Sequence, residues 1–270
     1  MPDFASAIEE ALSLAIEAVM SGANFLALPE YCGGLLTKGS AFAPPHAPED
    51  SHPFLAIMRE FSAKNGIWML VGSIAVSCSG GKYYNRSYMI DSSGSIVSRY
   101  DKVHLFDVTL SEDEIYRESD FVVAGQRAVL VKTPFGILAH SICYDIRFPR
   151  FYREMCQAGA EIIVIPAAFT KTTGEAHWHL LNRARAVENG AFVVAPCAIG
   201  PVSGGGEAYG HSLIVSPWGD VLIDGGKAPC VAQAQIEISA VNSARSRIAS
   251  LEHDRNYKLV PALEERKISA

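Results

Sequence analysis

The sequence has no hydrophobic run long enough to cross a bilayer and no cluster of Lys and Arg. A membrane-spanning helix needs roughly 18 or more predominantly apolar residues, and nucleic-acid binding usually requires a basic patch. The 270 residues instead carry a net charge of −6, from 23 basic and 29 acidic side chains. We therefore expect neither a membrane nor a nucleic acid as a partner.

A secretory signal peptide is also missing from the first 22 residues. Glu9, Glu10 and Glu17 interrupt their apolar positions, and no basic stretch precedes them. The apolar spacing between Phe4 and Val19 instead predicts one face of an amphipathic helix. Without a secretory signal, a cytoplasmic location is expected.

The cysteines form no C-x-x-C pair, so a zinc ribbon or a thioredoxin-type motif is not predicted. In a cytoplasmic protein of this length they should be reduced thiols. His177 and His179 stand two positions apart in a predicted helix, where such a pair does not share a face. No metal site and no cofactor are therefore expected. The six cysteines are Cys32, Cys78, Cys143, Cys156, Cys197 and Cys230.

Short apolar segments alternate with amphipathic ones along the whole chain, without a low-complexity linker. The apolar segments predict strands: "ANFLALPE" (23–30), "IWMLVGSIAVSC" (67–78), "AEIIVIPAAF" (160–169) and "VAQAQIEI" (231–238). Two others, "FLAIMREFSAKNG" (54–66) and "AHWHLLNRARAVENG" (176–190), predict helices that end at a glycine. This order indicates an α/β fold, and residues 1–270 are predicted to form a single domain.

Three chemically active side chains stand where predicted strands end: Glu30, Lys102 and Cys143. Each alone has an ordinary explanation, since a cysteine after an apolar run is often a small buried hydrophobe. Together they have a chemical logic. A thiol is mostly protonated near neutral pH and needs a base or a positive field to become a nucleophile. A carboxylate can supply the base, and an ammonium can supply the positive field. His140 and His177 are alternative candidates for the base.

Three segments carry these residues: "LALPE" (26–30), "YDKVHLFD" (100–107) and "CYDIRFP" (143–149). In this order and spacing they resemble the signature segments of the nitrilase, or carbon–nitrogen hydrolase, superfamily. "YNRS" (84–87), "GEAHWHLLNRARAVEN" (174–189) and "YGHSLIVSPWGDV" (209–221) are similar to its Nit-type amidase branch. The resemblance extends from about residue 5 to about residue 260.

The resemblance implies a role for each motif residue. Cys143 would attack an amide carbonyl, Glu30 would act as general base, and Lys102 would face the oxyanion. The backbone N–H of Tyr144 would bind the same oxyanion. The family also has a second glutamate between the Lys and Cys segments, and Glu118 matches it better than Glu112 or Glu114.

The implied fold is a four-layer α-β-β-α sandwich, although periodicity alone would also allow a doubly wound single sheet. Family members usually have a strand before the first helix, whereas this chain starts almost directly at that helix. Either the start is truncated or the sheet lacks that strand. The family commonly forms dimers, so a homodimer or higher oligomer is expected. The helix after Cys143 and helix 177–189 are candidates for the interface, and the tail from about residue 250 is a candidate to cross the partner.

The Nit-type resemblance implies a small linear amide with a remote carboxylate, either an ω-amide or a molecule like deaminated glutathione. A carboxylate calls for basic or hydroxyl-bearing groups in the pocket. Three rival functions stay open: an N-carbamoyl amino acid amidohydrolase or nitrilase with the same chemistry, an acyltransferase, and a catalytically silent scaffold. The candidates for binding the substrate are Arg147, Thr172, Arg183, Tyr209 and His211.

Overall fold

The computed structural model describes residues 1–38, 41–112 and 114–261. Within these ranges the helices are α1 (Phe4–Met20), α2 (Pro53–Asn65), α3 (Pro149–Gln157), α4 (Lys171–Asn189) and α5 (Ser239–Arg247). The strands are β1 (Phe25–Ala27), β2 (Thr37–Lys38), β3 (Ala41–Phe42), β4 (His46–Ala47), β5 (Trp68–Ser77), β6 (Tyr83–Ile90), β7 (Ile96–Asp101), β8 (Asp107–Thr109), β9 (Ile115–Arg117), β10 (Leu130–Thr133), β11 (Gly136–Ala139), β12 (Ile162–Val164), β13 (Phe192–Ala195), β14 (Ile199–Pro201), β15 (Glu207–Tyr209), β16 (Leu213–Val215) and β17 (Val221–Asp224).

Two mixed sheets organise the described chain. The first has the strand order β1-β5-β6-β7, with β4 also paired to β5. The second has the order β10-β11-β12-β13-β16-β17, in which β11, β12 and β13 run parallel. Three two-stranded ribbons, β2-β3, β8-β9 and β14-β15, lie outside these sheets. The parallel strands are buried on both faces, which explains their continuous apolar sequence.

The core clusters define four layers. α1 and α2 pack on one face of the first sheet, around Phe54, Met58 and Val71. Leu70, the neighbour of Val71, instead packs with residues of the second sheet such as Leu138. Because successive strand residues point to opposite faces, β5 contacts a helix layer on one side and a sheet on the other. α3 and α4 cover the outer face of the second sheet, so the predicted α-β-β-α sandwich is confirmed.

Local signals set the ends of the helices. The Asp3 side chain accepts a hydrogen bond from the Ser6 N–H at 2.9 Å and so caps the start of α1. α4 ends at Gly190, which has a φ of 53°, a left-handed conformation that glycine adopts at low cost. The first element in residues 1–38 is α1. None of the described helices is both long and apolar enough to cross a membrane.

Residues 231–238 correct one expectation, because residues 231–237 form neither a strand nor a helix and Ile238 is a turn. They run along a cavity of about 920 Å³ that is also lined by β1 and by the alanines of α1. The strand pattern was right in its apolar spacing, but a strand also needs a hydrogen-bonding neighbour, and in the described chain this segment has the cavity beside it.

The C-terminal tail follows α5. Asp254 forms a salt bridge with Arg153 of α3, and residues 255–261 are exposed. The tail was predicted to cross a partner subunit, and its last nine residues, 262–270, lie outside the described residues. Crossing of a partner therefore stays a prediction.

Candidate active site

Four chemically active side chains meet at one end of the two sheets. Glu30 follows β1, and Lys102 directly follows β7 of the first sheet. Glu118 begins a short 3-10 turn after β9, and Cys143 begins another after β11 of the second sheet. All four are buried, with between 2 % and 8 % of their surface exposed. We call them the catalytic cluster, after the roles that the sequence resemblance implies for them.

The Lys102 ammonium is the centre of this cluster. Its Nζ donates to Glu30 Oε1 at 2.9 Å and to Glu118 Oε2 at 2.9 Å. A buried charge is costly unless it is paired and hydrogen-bonded, and here one ammonium faces two carboxylates. Both acids are thereby fixed by the same cation.

Further hydrogen-bond donors contact the two carboxylates. The Asn85 amide donates to Glu30 Oε1 at 2.9 Å and to Glu118 Oε1 at 3.2 Å. Glu30 Oε2 accepts from the backbone N–H of Ala168 at 2.8 Å. Glu118 also accepts from the Tyr31 hydroxyl at 3.2 Å and from the Phe106 N–H at 2.6 Å. Glu118 therefore has more fixed donors than Glu30, which suits a positioning group better than a mobile base.

Cys143 lies in a strained and tightly held turn. Its φ of 47° is in the left-handed region, which costs a residue with a side chain on the order of 1–3 kcal/mol. Asp145 stabilises the turn, because its Oδ2 accepts from the Ile142 N–H at 2.8 Å and from the Tyr100 hydroxyl at 2.7 Å. The Tyr144 N–H lies in the first positions of this turn, where backbone N–H groups have no acceptor within the turn.

The electrostatics of the cluster favour a neutral thiol beside a charged lysine. Burial raises the pKa of the Cys143 thiol well above its usual value; the Glu30 carboxylate adds to this, while Lys102 opposes it. Burial alone would lower the pKa of Lys102, but the carboxylates of Glu118 and Glu30 hold it well above its usual value. The thiol therefore needs a base to form the nucleophilic thiolate.

Three other cysteines differ from Cys143 in their charged neighbours. Burial raises the pKa of the Cys32, Cys156 and Cys197 thiols to about 12. Lys102 is among the groups acting on the Cys143 thiol, whereas it is not among those acting on these three. Cys143 is thus distinguished by its neighbours and not by its burial.

A narrow pocket opens onto the cluster, and four of its ten described lining residues are aromatic. Its described lining includes Glu30, Lys102 and Cys143, and also Phe42, Phe106, Tyr144, Ala168, Phe169, Thr170 and Thr173. Aromatic walls leave room for a slim substrate and supply few polar contacts. The polar groups at the far side are Thr170 and Thr173, whose hydroxyls lie 2.8 Å apart.

The predicted substrate-binding residues are spread over a wider area. The Arg147 guanidinium lies 5.5 Å from the centre of the Phe169 ring, beside the pocket lining. Thr172 is exposed, and Arg183 donates to the Gly219 carbonyl at 2.8 Å. Tyr209 stacks on His211. Among described residues, the pocket lining includes none of these five, so their role in substrate binding stays a prediction.

The structure also places the two histidines that could have served as bases. His140 is buried between Ser87 and Ser98, with its ring nitrogens 3.2 Å and 2.7 Å from the two hydroxyls. His177 lies 3.3 Å from Arg147 on the outer side of α4. Neither lines the described pocket, whose described lining contains one carboxylate, Glu30.

Sequence reasoning missed Asn85. Asn85 is fully buried in β6, and a lone amide on an inward-facing position of a strand could have indicated a buried polar partner. Nothing in the sequence pattern indicated the Ala168 N–H, because a backbone donor has no residue signature.

Several known proteins are similar to this chain. A family profile described as carbon-nitrogen hydrolase matches residues 1–246. A deaminated glutathione amidase from Yersinia enterocolitica is 35% identical over 260 residues, which cover 94% of this chain and 90% of that protein. An omega-amidase, NIT2, from Xenopus tropicalis is 32% identical over 260 residues, covering 96% and 92% of the two chains.

Among solved structures, the NitFhit protein of C. elegans has a similar fold. The TM-score is 0.84 with 30% identity, and the match covers 94% of this chain. This chain spans 62% of the length of that protein. The two-sheet architecture and the family profile thus point to the same superfamily.

Proposed function

The chain belongs to the carbon–nitrogen hydrolase family and is an amidase acting on non-peptide C–N bonds, and we propose that Cys143 is its nucleophile. The proposal depends on one observation above all. Glu30, Lys102 and Cys143 come from distant parts of the sequence and line one pocket, and Lys102 is paired with both Glu30 and Glu118. A scaffold would not need to keep a cation, two carboxylates and a thiol out of water.

The first half of the reaction forms a thioester. Glu30 removes the thiol proton as Sγ attacks the amide carbonyl carbon, and the carbonyl oxygen becomes an oxyanion facing Lys102 and the Tyr144 N–H. Glu30 then gives that proton to the nitrogen, the C–N bond breaks, and ammonia leaves. General base catalysis of this kind is worth roughly 10²–10⁴-fold in rate, and an oxyanion donor roughly 10²–10³-fold.

The second half consumes water. Glu30 removes a proton from a water molecule that attacks the thioester carbon, and the same proton returns to the departing sulfur. The products are the free acid and the original thiol. Glu118 acts as a positioning group, since its ion pair with Lys102 holds the ammonium in place.

The proposed substrates are small linear amides with a remote carboxylate, of the ω-amide or deaminated-glutathione type. The relatives named above are supporting evidence, and the narrow aromatic pocket suits an unbranched chain. Arg147 beside Phe169 is the proposed partner of the carboxylate, because a guanidinium can bind it with two parallel hydrogen bonds.

The test measures ammonia release from a panel of ω-amides, nitriles and N-carbamoyl amino acids. Cys143→Ala should lose turnover by about 10⁴-fold or more, because the nucleophile itself is removed. Cys78→Ala is the matched control, since Cys78 is a half-buried thiol that does not line the pocket, and it should keep full activity. Mass spectrometry of wild type with a slow substrate should show the acyl group on the Cys143 peptide.

Two results would contradict the proposal. Turnover by Cys143→Ala at the wild-type rate would exclude this nucleophile. Turnover of nitriles or N-carbamoyl compounds alone would keep the nucleophile but replace the substrate class.

We also propose a homodimer that forms through α4. Leu180 and Val187 are one heptad apart on this helix and are 67% and 53% exposed, and Trp218 nearby is 47% exposed. Exposed apolar side chains grouped in this way are typical of protein interfaces. Sedimentation should give a dimer for wild type and a monomer for Leu180→Glu, and a wild-type monomer at micromolar concentration would exclude it.

A cytoplasmic location is proposed as well. It is supported by the six free cysteines, which are stable in a reducing compartment. Fractionation of the source cells would test it, and recovery of the protein outside the cytoplasm would contradict it.

A further inference from the structure

A second group of polar side chains lies outside the catalytic pocket. His179 is on α4, His211 precedes β16, and Asp224 ends β17. His179 Nε2 lies 3.0 Å from Asp224 Oδ2, and His211 Nδ1 lies 2.9 Å from Asp224 Oδ1. One donor atom from each residue lies within 4.8 Å of the other two. We call these three residues the histidine cluster.

The backbone holds this cluster in place before any ligand binds. Gly226 N–H donates to Asp224 Oδ1 at 2.8 Å, and His211 N–H donates to the Gly226 carbonyl at 2.8 Å. The Trp178 indole N–H donates to the His211 carbonyl at 2.7 Å. Two of the three side chains are thus positioned by main-chain contacts on rigid elements, as a preformed binding site requires.

The backbone of His211 provides a separate observation. Among the described residues, three that are not glycine have a positive φ: Tyr31, Cys143 and His211. Tyr31 directly follows Glu30 of the catalytic cluster, and Cys143 belongs to that cluster. His211, with a φ of 54°, is the third. Strain of this kind persists where the surrounding structure enforces it, and it is concentrated at functional sites.

We propose that the histidine cluster binds one Zn²⁺ ion through His179 Nε2, His211 Nδ1 and the Asp224 carboxylate. Two imidazole nitrogens and one carboxylate are ordinary zinc ligands. Zinc bonds of about 2.0–2.2 Å in a tetrahedron separate neighbouring ligand atoms by about 3.3 Å. The separations of the Asp224 carboxylate oxygens from the two imidazole nitrogens, 3.0 and 2.9 Å, need to open by only a few tenths of an ångström to meet that value, and the three ligand atoms already lie within 4.8 Å of one another.

The orientation of the two rings suits convergence on one ion. The His179 and His211 rings are inclined at 71°, with their centres 5.1 Å apart, so they do not stack and both nitrogens can point to one centre. His179 and Asp224 are 37% and 34% exposed, which leaves a path from solvent and a fourth position for water.

Bound zinc would fasten α4 to the strands β16 and β17. Tyr209 connects this site with the catalytic pocket, because its ring stacks on His211 at 4.7 Å and its N–H donates to the Phe169 carbonyl at 2.8 Å. Phe169 lines the pocket. The ion is therefore assigned a structural role beside the pocket and takes no part in breaking the amide bond.

The test uses metal-free protein with the substitution Cys143→Ala, so that the active-site thiol cannot hold the ion. Calorimetric titration with ZnCl₂ should give one ion per chain, and Zn²⁺ should raise the melting temperature. Co²⁺ should give the visible absorption of a four-coordinate site without a thiolate charge-transfer band. His179→Gln and Asp224→Asn in the same background should weaken Zn²⁺ binding by about 100-fold or more, since even indirect partners of a metal contribute 10–100-fold.

His177→Gln is the matched control, because His177 lies on the same helix two positions away and outside the cluster. It should bind Zn²⁺ as the Cys143→Ala protein does. Binding that is absent, binding that is equal in all variants, or a cobalt–thiolate band would each overturn the proposal. Circular dichroism of each variant checks folding, and both substituted side chains are exposed enough for the fold to tolerate them.

Discussion

The catalytic cluster and the histidine cluster differ in how their polar groups are stabilised. The catalytic cluster is almost fully buried, and its charges are balanced by Lys102, the Asn85 amide and backbone N–H groups. The histidine cluster is about one-third exposed, and water can complete it. A buried cluster must carry its own partners and is fixed for one reaction, whereas an exposed one can accept and release a ligand.

The largest effect is expected where burial is deepest. Lys102→Met leaves two carboxylates without their cation, so the free energy of unfolding should fall by about 3–5 kcal/mol. Ammonia release should fall by about 10²–10³-fold or more, because the oxyanion loses its charged donor. Urea unfolding monitored by circular dichroism measures the first effect, and the amide assay measures the second.

The matched control is the double variant Lys102→Met with Glu118→Gln. Removing one carboxylate relieves part of the repulsion, so the double variant should be more stable than Lys102→Met alone, while both stay inactive. A double variant whose loss equals the sum of the two single losses would show that the charges are not coupled.

An effect of intermediate size is expected for Asp145 and Asp224, which test the same contrast between the buried and the exposed cluster. Asp145 is fully buried and accepts from the backbone N–H groups of Ile142 and His104 and from the Tyr100 hydroxyl, so Asp145→Asn should cost about 1.5–3 kcal/mol. It should also lower kcat, because the turn that carries Cys143 loosens. Asp224→Asn in metal-free protein should cost less than about 1 kcal/mol. Equal losses in the two variants would contradict the contrast.

Near neutral pH the smallest effect is expected at His140, because its contribution to stability changes only at lower pH. Burial lowers the pKa of His140 from 6.5 to about 3. Its contribution to stability is therefore fully present above pH 6.5 and is lost as the pH falls towards 3, because the unfolded chain binds a proton that the folded chain does not. His140→Gln should flatten the decline of melting temperature below pH 6.5. The melting temperature of this variant should still fall somewhat with decreasing pH, because burial also lowers the pKa of His52 to about 4.

Much of the catalytic cluster could be predicted because each member ends a recognisable segment. Glu30, Lys102 and Cys143 follow apolar strands, and strand ends in layered α/β folds meet along shared edges. The sandwich itself came from the resemblance, since periodicity also allowed a single doubly wound sheet. Element types were mostly right for long, buried strands such as β5.

The histidine cluster could not be predicted in the same way. His179 was compared with His177, its neighbour in sequence, whereas its true neighbours are 32 and 45 positions away. Their contact depends on how the β16–β17 hairpin lies against α4, which no local pattern encodes. The segment 231–238 failed for a related reason, because alternation of apolar residues does not reveal whether a pairing strand is present.

The hydrogen bond from Ala168 N–H to Glu30 has one more consequence. Glu30 is carried by the first sheet, and Ala168 follows β12 of the second, so the base is held by both halves of the sandwich at once. The rate of turnover should therefore depend on how the two sheets are aligned. A cavity made between them, for example by Leu138→Ala, should slow catalysis at temperatures where the ellipticity is still that of the native protein.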